Sequence, residues 1–345
     1  MDVINKNKLF RAEGVAPSNI AIVKYWGKQG IQEPLNPSIS FTLSKAVTNT
    51  TIKYQWSKLP LEINFLFEGK RKDSFLPKLN TLTERIGSFL PFLKSGTLSI
   101  ESANTFPHSS GIASSASSMA SIAMALYQIQ KNINADAFTQ NEDKLISEMA
   151  RLGSGSACRS TMKGWVLWGD TPHISNSSKH YGIEINNVVH PDFNELQDTI
   201  LVIRKGAKAV SSTVGHQLME NHPYREGRIK QANRNTELLL NALRHGDFNA
   251  FACVCEEEAL SLHGLMMSST PAYTLMAPES LRVIKRIHKF RDHHHIPITF
   301  TLDAGPNVHL IYPGSQSKIV HPFIEEHLRP LCDNEEVIYD QISIQ

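Results

Sequence analysis

No stretch of this 345-residue sequence runs to the ~20 consecutive apolar residues that a membrane-spanning helix needs, so such a helix is excluded from it. Residues 1 to 19 hold no apolar run of the signal-peptide kind, and the expected location is the cytoplasm, with no membrane partner. Cysteine is scarce. Cys158, Cys253, Cys255 and Cys332 are scattered, which suits free thiols in a reducing compartment and speaks against a disulfide framework. An excess of one charge is lacking too: 35 Lys and Arg stand against 33 Asp and Glu. With no basic stretch interleaved with aromatics, nucleic acid is not an expected partner. Internal repeats and low-complexity tracts are also absent.

What is present is an ordinary globular composition, 41% apolar and 20% charged, over a length that suggests two domains. Strand-like runs open the chain: NIAIVKYW, SFTLSKAV, NTTIKYQW, LEINFLF and TLSIES. Small and apolar residues then recur at helical spacing from Ser114 to Ile129, and NEDKLISEMARLG predicts a second helix. Near residue 195 the composition shifts toward long charged helices, followed by a helix at ESLRVIKRIHKFR, strands PITFTLDAG and NVHLIYPG, a final helix and a closing strand EVIYDQISI. The expected domains are therefore 1–195 and 196–345. Alternation of strands and helices in both halves gives an α/β or α+β class.

Four segments carry groups suited to anion chemistry. In FPHSSGIASSASS, residues 106 to 118, Gly111 permits close backbone approach, and Ser114 and Ser115 open a helix whose free N–H groups and dipole favour phosphate. The competing account is a close-packed helix whose serines only cap and back-bond. Lys24 follows the apolar run Ile20 to Val23, where an ammonium needs a carboxylate or an anionic ligand, and Lys28 is freer to reach a phosphate. Asp303 closes ITFTLDAGPN, with Thr299, Thr301 and Asp303 on one strand face; a carboxylate there serves either as proton acceptor or as the cap of the Gly305-Pro306 corner. Arg159, in Gly-Ser-Gly-Ser-Ala-Cys-Arg, offers a guanidinium fork for carboxylate or phosphate. Ser211, Ser212 and Thr213 beside Lys205 and Lys208 make a weaker anion site. His293 to His295 read as a solvated loop rather than a metal site, and Cys253 and Cys255 fall on different sides of one helix.

In their order along the chain, APSNIAIVKYWGK with LNPSIS, NTFPHSSGIASSAS, ARLGSGSACRS, VSSTVG and FTLDAGPNVHL closely resemble the diphosphomevalonate decarboxylases of the GHMP kinase superfamily. The resemblance implies an α+β two-domain GHMP kinase fold, with a ribosomal protein S5 domain 2-like N-terminal domain, a ferredoxin-like C-terminal domain and an active-site cleft between them. It implies ATP-dependent decarboxylation of mevalonate 5-diphosphate to isopentenyl diphosphate, with Mg2+ and a homodimeric enzyme. By position, Asp303 is the catalytic carboxylate, Arg159 holds the substrate carboxylate and Lys24 supports the charge arrangement. Tyr25, Lys28, Ser154, Ser156 and Thr213 match substrate-binding positions. Asn104, Pro107, Gly111, Ser114 and Ser115 match the ATP loop, with Ser115 next to Mg2+.

The sequence departs from the family pattern at Asn36-Pro37, at His108-Ser109-Ser110 and at His216. Pro37 removes a hydroxyl, which bears on the choice between a diphosphate and a monophosphate substrate. Sibling activities are a phosphomevalonate decarboxylase and a mevalonate 3-kinase; a silent metabolite-binding protein on the same fold would have lost Lys24, Arg159 or Asp303, and all three are present.

Overall fold

The structure, a computed structural model, describes residues 8–107, 112, 114–138, 141–206 and 210–344. The first part contains β1 (Leu9–Ala21), β2 (Lys28–Gln29), β3 (Glu33–Pro34), β4 (Ser38–Pro60), β5 (Glu62–Phe67), β6 (Lys70–Arg71), α1 (Leu76–Ile86), β7 (Ser95–Asn104), α2 (Ser114–Ile133), α3 (Glu142–Gly153), β8 (Trp165–Trp168) and β9 (Gly182–Glu184). The second contains β10 (Leu196–Leu201), α4 (Ser212–Leu218), α5 (Arg225–His245), α6 (Phe248–Met267), α7 (Pro278–His294), β11 (Thr299–Thr301), β12 (Val308–Pro313), α8 (Ser317–Phe323) and β13 (Val337–Gln341). Among the described residues a seven-stranded sheet runs β6-β5-β7-β4-β8-β9 with β1 also on β4, and a four-stranded sheet runs β11-β12-β10-β13.

Two strand expectations change. β4 runs unbroken through both SFTLSKAV and NTTIKYQW, and β1 begins at Leu9 and ends at Ala21, leaving Lys24 in a loop. The early half of β1 reads weakly as a strand because its buried face is Ala12, Gly14 and Ala16. Those residues are small because α2 lies directly across them: a Cβ at Gly14 would fall 2.0 Å from the Ser121 carbonyl oxygen. Close approach also lets α2 bond the sheet through side chains. Thr50 Oγ1 lies 2.7 Å from Ser121 Oγ, and Thr48 Oγ1 lies 2.7 Å from Ser117 Oγ.

The second sheet keeps only part of what PITFTLDAG predicts: β11 covers Thr299–Thr301, so Asp303 lies two residues beyond the strand, ahead of the Gly305-Pro306 turn, rather than on its face. Ile298, Phe300 and Leu302 pack into one core cluster with Leu310 and Tyr312. Thr299, on the other face, donates to Glu256 of α6 at 2.9 Å. The long charged stretch splits into α5 and α6 at Gly246-Asp247, where the Asp247 side chain caps α6 by accepting from Ala250 N–H at 2.9 Å. Cys253 is exposed and Cys255 buried on that helix. His293 and His294 form the last turn of α7, so the histidine run is helical where a loop is expected.

The two parts share a core. Ile20, Ile22, Phe41 and Trp165 from the first cluster with Leu239, Leu240 and Phe251 from the second. Asp340 of β13 accepts from the backbone N–H groups of Ser44, Lys45 and Ala46 at 3.1, 2.9 and 2.7 Å. Burial pushes its carboxyl above the usual range, against the pull of those N–H groups. The junction places the loop after β1 against the end of β11.

Candidate active site

At that junction the Lys24 ammonium donates to Asp303 Oδ1 at 2.9 Å and to the Ala21 carbonyl at 2.5 Å. The pair is asymmetric, with the lysine side chain 2% exposed and the aspartate 28% exposed. One carboxylate edge is therefore accessible while its counter-ion is not. The sequence demanded a partner for a buried lysine, and the fold supplies it from 279 residues away. His263 Nε2 lies 3.1 Å from the Asp303 carbonyl, and Gly305 N–H donates to that same oxygen at 2.7 Å.

Arg159 ends a short 3-10 turn, Gly155–Arg159, that follows α3. It is buried, donates to Ser38 Oγ, reaches Asn19 Oδ1 at 3.4 Å and lies 5.7 Å from the centre of the Trp168 ring. Its Nε has no hydrogen-bond partner in the protein. Burial lowers its pKa, while the Cys158, Asp303 and Tyr25 groups pull the other way. The guanidinium keeps its charge.

Tyr25 lies between Trp168, which it meets edge-on at a ring separation of 4.7 Å, and His216, tilted against it at 4.3 Å. Its buried hydroxyl also lacks a protein partner, and burial raises its pKa well above the ordinary phenol value. His216 accepts from Gly27 N–H through Nδ1 at 2.9 Å, and burial, with the Lys28 charge beside it, lowers its pKa to about 3. It is a neutral histidine at physiological pH. Lys28, in β2, has its own pKa lowered by burial and by the Arg85 charge. Cationic groups thus gather along this side: Lys24, Lys28, Arg85, Arg151 and Arg159.

The expected residues fall into two groups. Lys24, Tyr25, Arg159 and Asp303 come together, with Ser154 and Ser156 partly buried just before Arg159 in the chain and Lys28 near His216. Asn104 ends β7 with Thr48 Oγ1 2.8 Å from its Oδ1 and its Nδ2 buried without a partner. Pro107 is exposed just beyond it, and Ser114 and Ser115 form the first turn of α2, Ser115 exposed. Gly111, with His108, Ser109 and Ser110, lies outside the described residues, as does Lys208. Thr213 is exposed in the first turn of α4, capped by Ser211 Oγ, which accepts from Val214 N–H at 3.3 Å. Lys205 is not part of an anion site there: its ammonium pairs with Glu336, and its N–H donates to Asp333 at 3.1 Å.

Sequence reasoning missed Glu258, Arg228, Asn19 and Arg151. Glu258 accepts from the Lys24 N–H at 2.8 Å, and Arg228 donates to the Lys24 carbonyl at 3.0 Å. Helical spacing with Phe251, Cys255 and Leu262 would have flagged Glu258 as a buried carboxylate.

Fold and site together define a two-domain α+β enzyme that presents one accessible carboxylate among buried cations. Residues 16–179 match the family model for the diphosphomevalonate decarboxylase-like N-terminal domain, and residues 199–344 that for the mevalonate 5-diphosphate decarboxylase C-terminal domain. The human diphosphomevalonate decarboxylase is 31% identical over 312 residues, 85% of this chain and 74% of that protein. The Staphylococcus aureus mevalonate diphosphate decarboxylase structure superimposes with a TM-score of 0.84 at 27% identity, covering 97% of this chain and 96% of that one. A solved complex of MDDEF with MVAPP, AMPPCP and magnesium gives a TM-score of 0.83 at 27% identity, covering 97% and 98%. This chain belongs to the diphosphomevalonate decarboxylase family.

Proposed function

We propose that the protein converts mevalonate 5-diphosphate and ATP into isopentenyl diphosphate, ADP, phosphate and CO2. The observation that carries this reading is the Lys24–Asp303 pair at 2.9 Å beside buried Arg159 and Tyr25 atoms without protein partners. Buried polar atoms of that kind call for partners on a ligand, and a guanidinium and a phenol suit carboxylate and phosphate oxygens.

In the reaction, Asp303 accepts the proton of the substrate's C3 hydroxyl, or orients that hydroxyl, as its oxygen attacks the γ-phosphorus of ATP and the bond from that phosphorus to the β–γ bridging oxygen breaks, ADP leaving with the electron pair. Lys24 holds the carboxylate in place. The C3–O bond then breaks, phosphate taking the electron pair, and the C1–C2 electrons form the new C2–C3 double bond as CO2 departs. Arg159 grips the carboxylate that is lost, and Tyr25, Lys28, Ser154, Ser156 and Thr213 hold the rest of the substrate. This is positioning and electrostatics on a strongly anionic reactant set.

ATP lies along Asn104, Pro107, Gly111, Ser114 and Ser115. The α2 N-terminus supports that assignment, since free N–H groups and the helix dipole favour phosphate. Among the described residues no group of three His, Cys, Asp or Glu could hold a cation, so a Mg2+ ion would rely on phosphate oxygens. The exposed Ser115 hydroxyl fits as an added ligand, and Mg2+ when bound offsets phosphate charge. In the same reading, residues 1–195 form the ribosomal protein S5 domain 2-like domain and residues 196–345 the ferredoxin-like one, in a cytoplasmic homodimer.

The test is product stoichiometry with purified protein, ATP, Mg2+ and mevalonate 5-diphosphate. Equal amounts of ADP, phosphate, CO2 and isopentenyl diphosphate are expected. ADP without CO2 would overturn the decarboxylase reading in favour of a 3-kinase, and higher kcat/KM with the 5-monophosphate would move the substrate assignment to that compound.

A further inference from the structure

Resting on that reaction, we propose that α6 acts as a positioning helix, with Glu258 and His263 fixing the main chains that carry the two halves of the catalytic pair. Glu258 is fully buried, and its carboxylate is saturated. Oε2 accepts from Lys24 N–H at 2.8 Å and from Arg228 at 2.6 Å, while Oε1 accepts from Arg228 and from Asn235, each at 2.8 Å. Arg228 in turn donates to the Lys24 carbonyl at 3.0 Å, and Asn36 donates to the same oxygen at 3.1 Å. Both polar backbone atoms of Lys24 are thereby held from α5 and α6, although Lys24 itself follows β1 of the other sheet.

Five positions further along α6, buried His263 lies with Nε2 3.1 Å from the Asp303 carbonyl. A carbonyl only accepts, so Nε2 carries the proton and donates. Five residues of helix advance by about 7.5 Å, and the rigidity of the helix fixes that interval. The two main chains it grips then meet through Lys24 Nζ and Asp303 Oδ1. A buried ion pair adds little to stability compared with an apolar substitute of equal volume. What Arg228 and Glu258 supply here is the location of Lys24. Neither Glu258 nor His263 is assigned a contact with substrate; both act through other residues.

The test separates kcat from KM. Glu258→Asp keeps the charge but withdraws the carboxylate by one methylene; His263→Leu removes the donor, and His263→Gln restores one. With misplacement of a reacting group by about 1 Å costing on the order of 10²-fold, kcat for CO2 should fall about 10- to 100-fold in Glu258→Asp and in His263→Leu. KM for ATP and for mevalonate 5-diphosphate should stay within about two-fold, and His263→Gln should recover most of kcat. A crystal structure of Glu258→Asp should show the Lys24 Nζ to Asp303 Oδ1 separation lengthened. If Glu258→Asp does not fold, the two His263 variants carry the test. Folded variants with kcat within two-fold of the parent would overturn the positioning role. Absence of CO2 from the parent protein would instead overturn the functional reading, while the crystallographic separation still tests the helix.

Discussion

Lys24 stands between two ion pairs of opposite character. On one side its ammonium meets Asp303, a carboxylate 28% exposed; on the other its main chain meets Arg228 and Glu258, whose side chains are 1% and 0% exposed. The open pair keeps an exposed carboxylate edge, with unpartnered Arg159 and Tyr25 atoms nearby, whereas the closed pair has its carboxylate oxygens fully engaged. A carboxylate whose oxygens are engaged by buried protein groups has no lone pair left for substrate, whereas a carboxylate 28% exposed at the junction can be reached by one. On the proposed reading, the difference separates residues that do chemistry from residues that place them.

The largest expected effect breaks the open pair. Asp303→Asn keeps the shape, loses the charge and can no longer accept a proton, so kcat should fall by roughly 10³-fold or more while an ATP analogue binds as before. Near-normal turnover would remove Asp303 from the centre of the reaction. Next comes Arg159→Lys, which retains the charge but not the planar fork; kcat/KM for mevalonate 5-diphosphate should drop about 10²-fold, with KM for ATP little changed. An equal loss in both substrates' KM values would place Arg159 in general packing rather than at the substrate carboxylate.

A smaller effect concerns the neutral histidine beside Tyr25. Burial holds the His216 pKa at about 3, against 6.5 for a free side chain, so the unfolded chain binds the extra proton first as pH falls. Stability associated with His216 is present above pH 6.5 and is lost progressively from there down to about pH 3. By pH 5 the loss is about 2 kcal/mol, from the 1.36 kcal/mol per pKa unit of linkage. His216→Gln keeps an acceptor for Gly27 N–H without titrating. Denaturant melts at pH 7 and pH 5 should show the parent losing about 2 kcal/mol more than the variant; parallel losses would mean that His216 protonates freely.

Much of the open side was legible in the sequence. A lysine closing an apolar run and an aspartate closing an alternating strand each violate the local pattern, and such violations mark sites. The closed side was hidden by its neighbours. Glu256, Glu257 and Glu258 look like a solvated charge run, yet each takes a different direction on α6: Glu256 toward His288 and Arg291 of α7 and Thr299, Glu257 toward Gln231 and Arg234 of α5, Glu258 into the junction. Successive helical residues point about 100° apart, so three identical letters have three environments. The early half of β1 was missed for a related reason, because Ala12, Gly14 and Ala16 serve the approach of α2 and carry little strand propensity.

The smallest expected effect probes how tightly the open side is built. Gly155 lies behind the Tyr25 and Trp168 rings, where an added Cβ would meet Tyr25 Oη at 2.8 Å and Trp168 Cη2 at 3.0 Å. Tyr25 is confined on its other face by His216, at a ring separation of 4.3 Å, so it cannot retreat without disturbing the Gly27 contact. In Gly155→Ala the phenol must therefore shift by a few tenths of an ångström, carrying its hydroxyl away from the substrate. Overpacking of this kind costs about 1 kcal/mol or slightly more, equivalent to roughly a five- to ten-fold rise in KM for mevalonate 5-diphosphate. The proposed ATP side, at the end of β7 and the start of α2, is untouched by this change, and KM for ATP should hold steady. Steady-state titration of each substrate against the other checks this. A change confined to ATP would mean that the Gly155 turn serves the nucleotide, and that the two sides of the cleft are assigned the wrong way round.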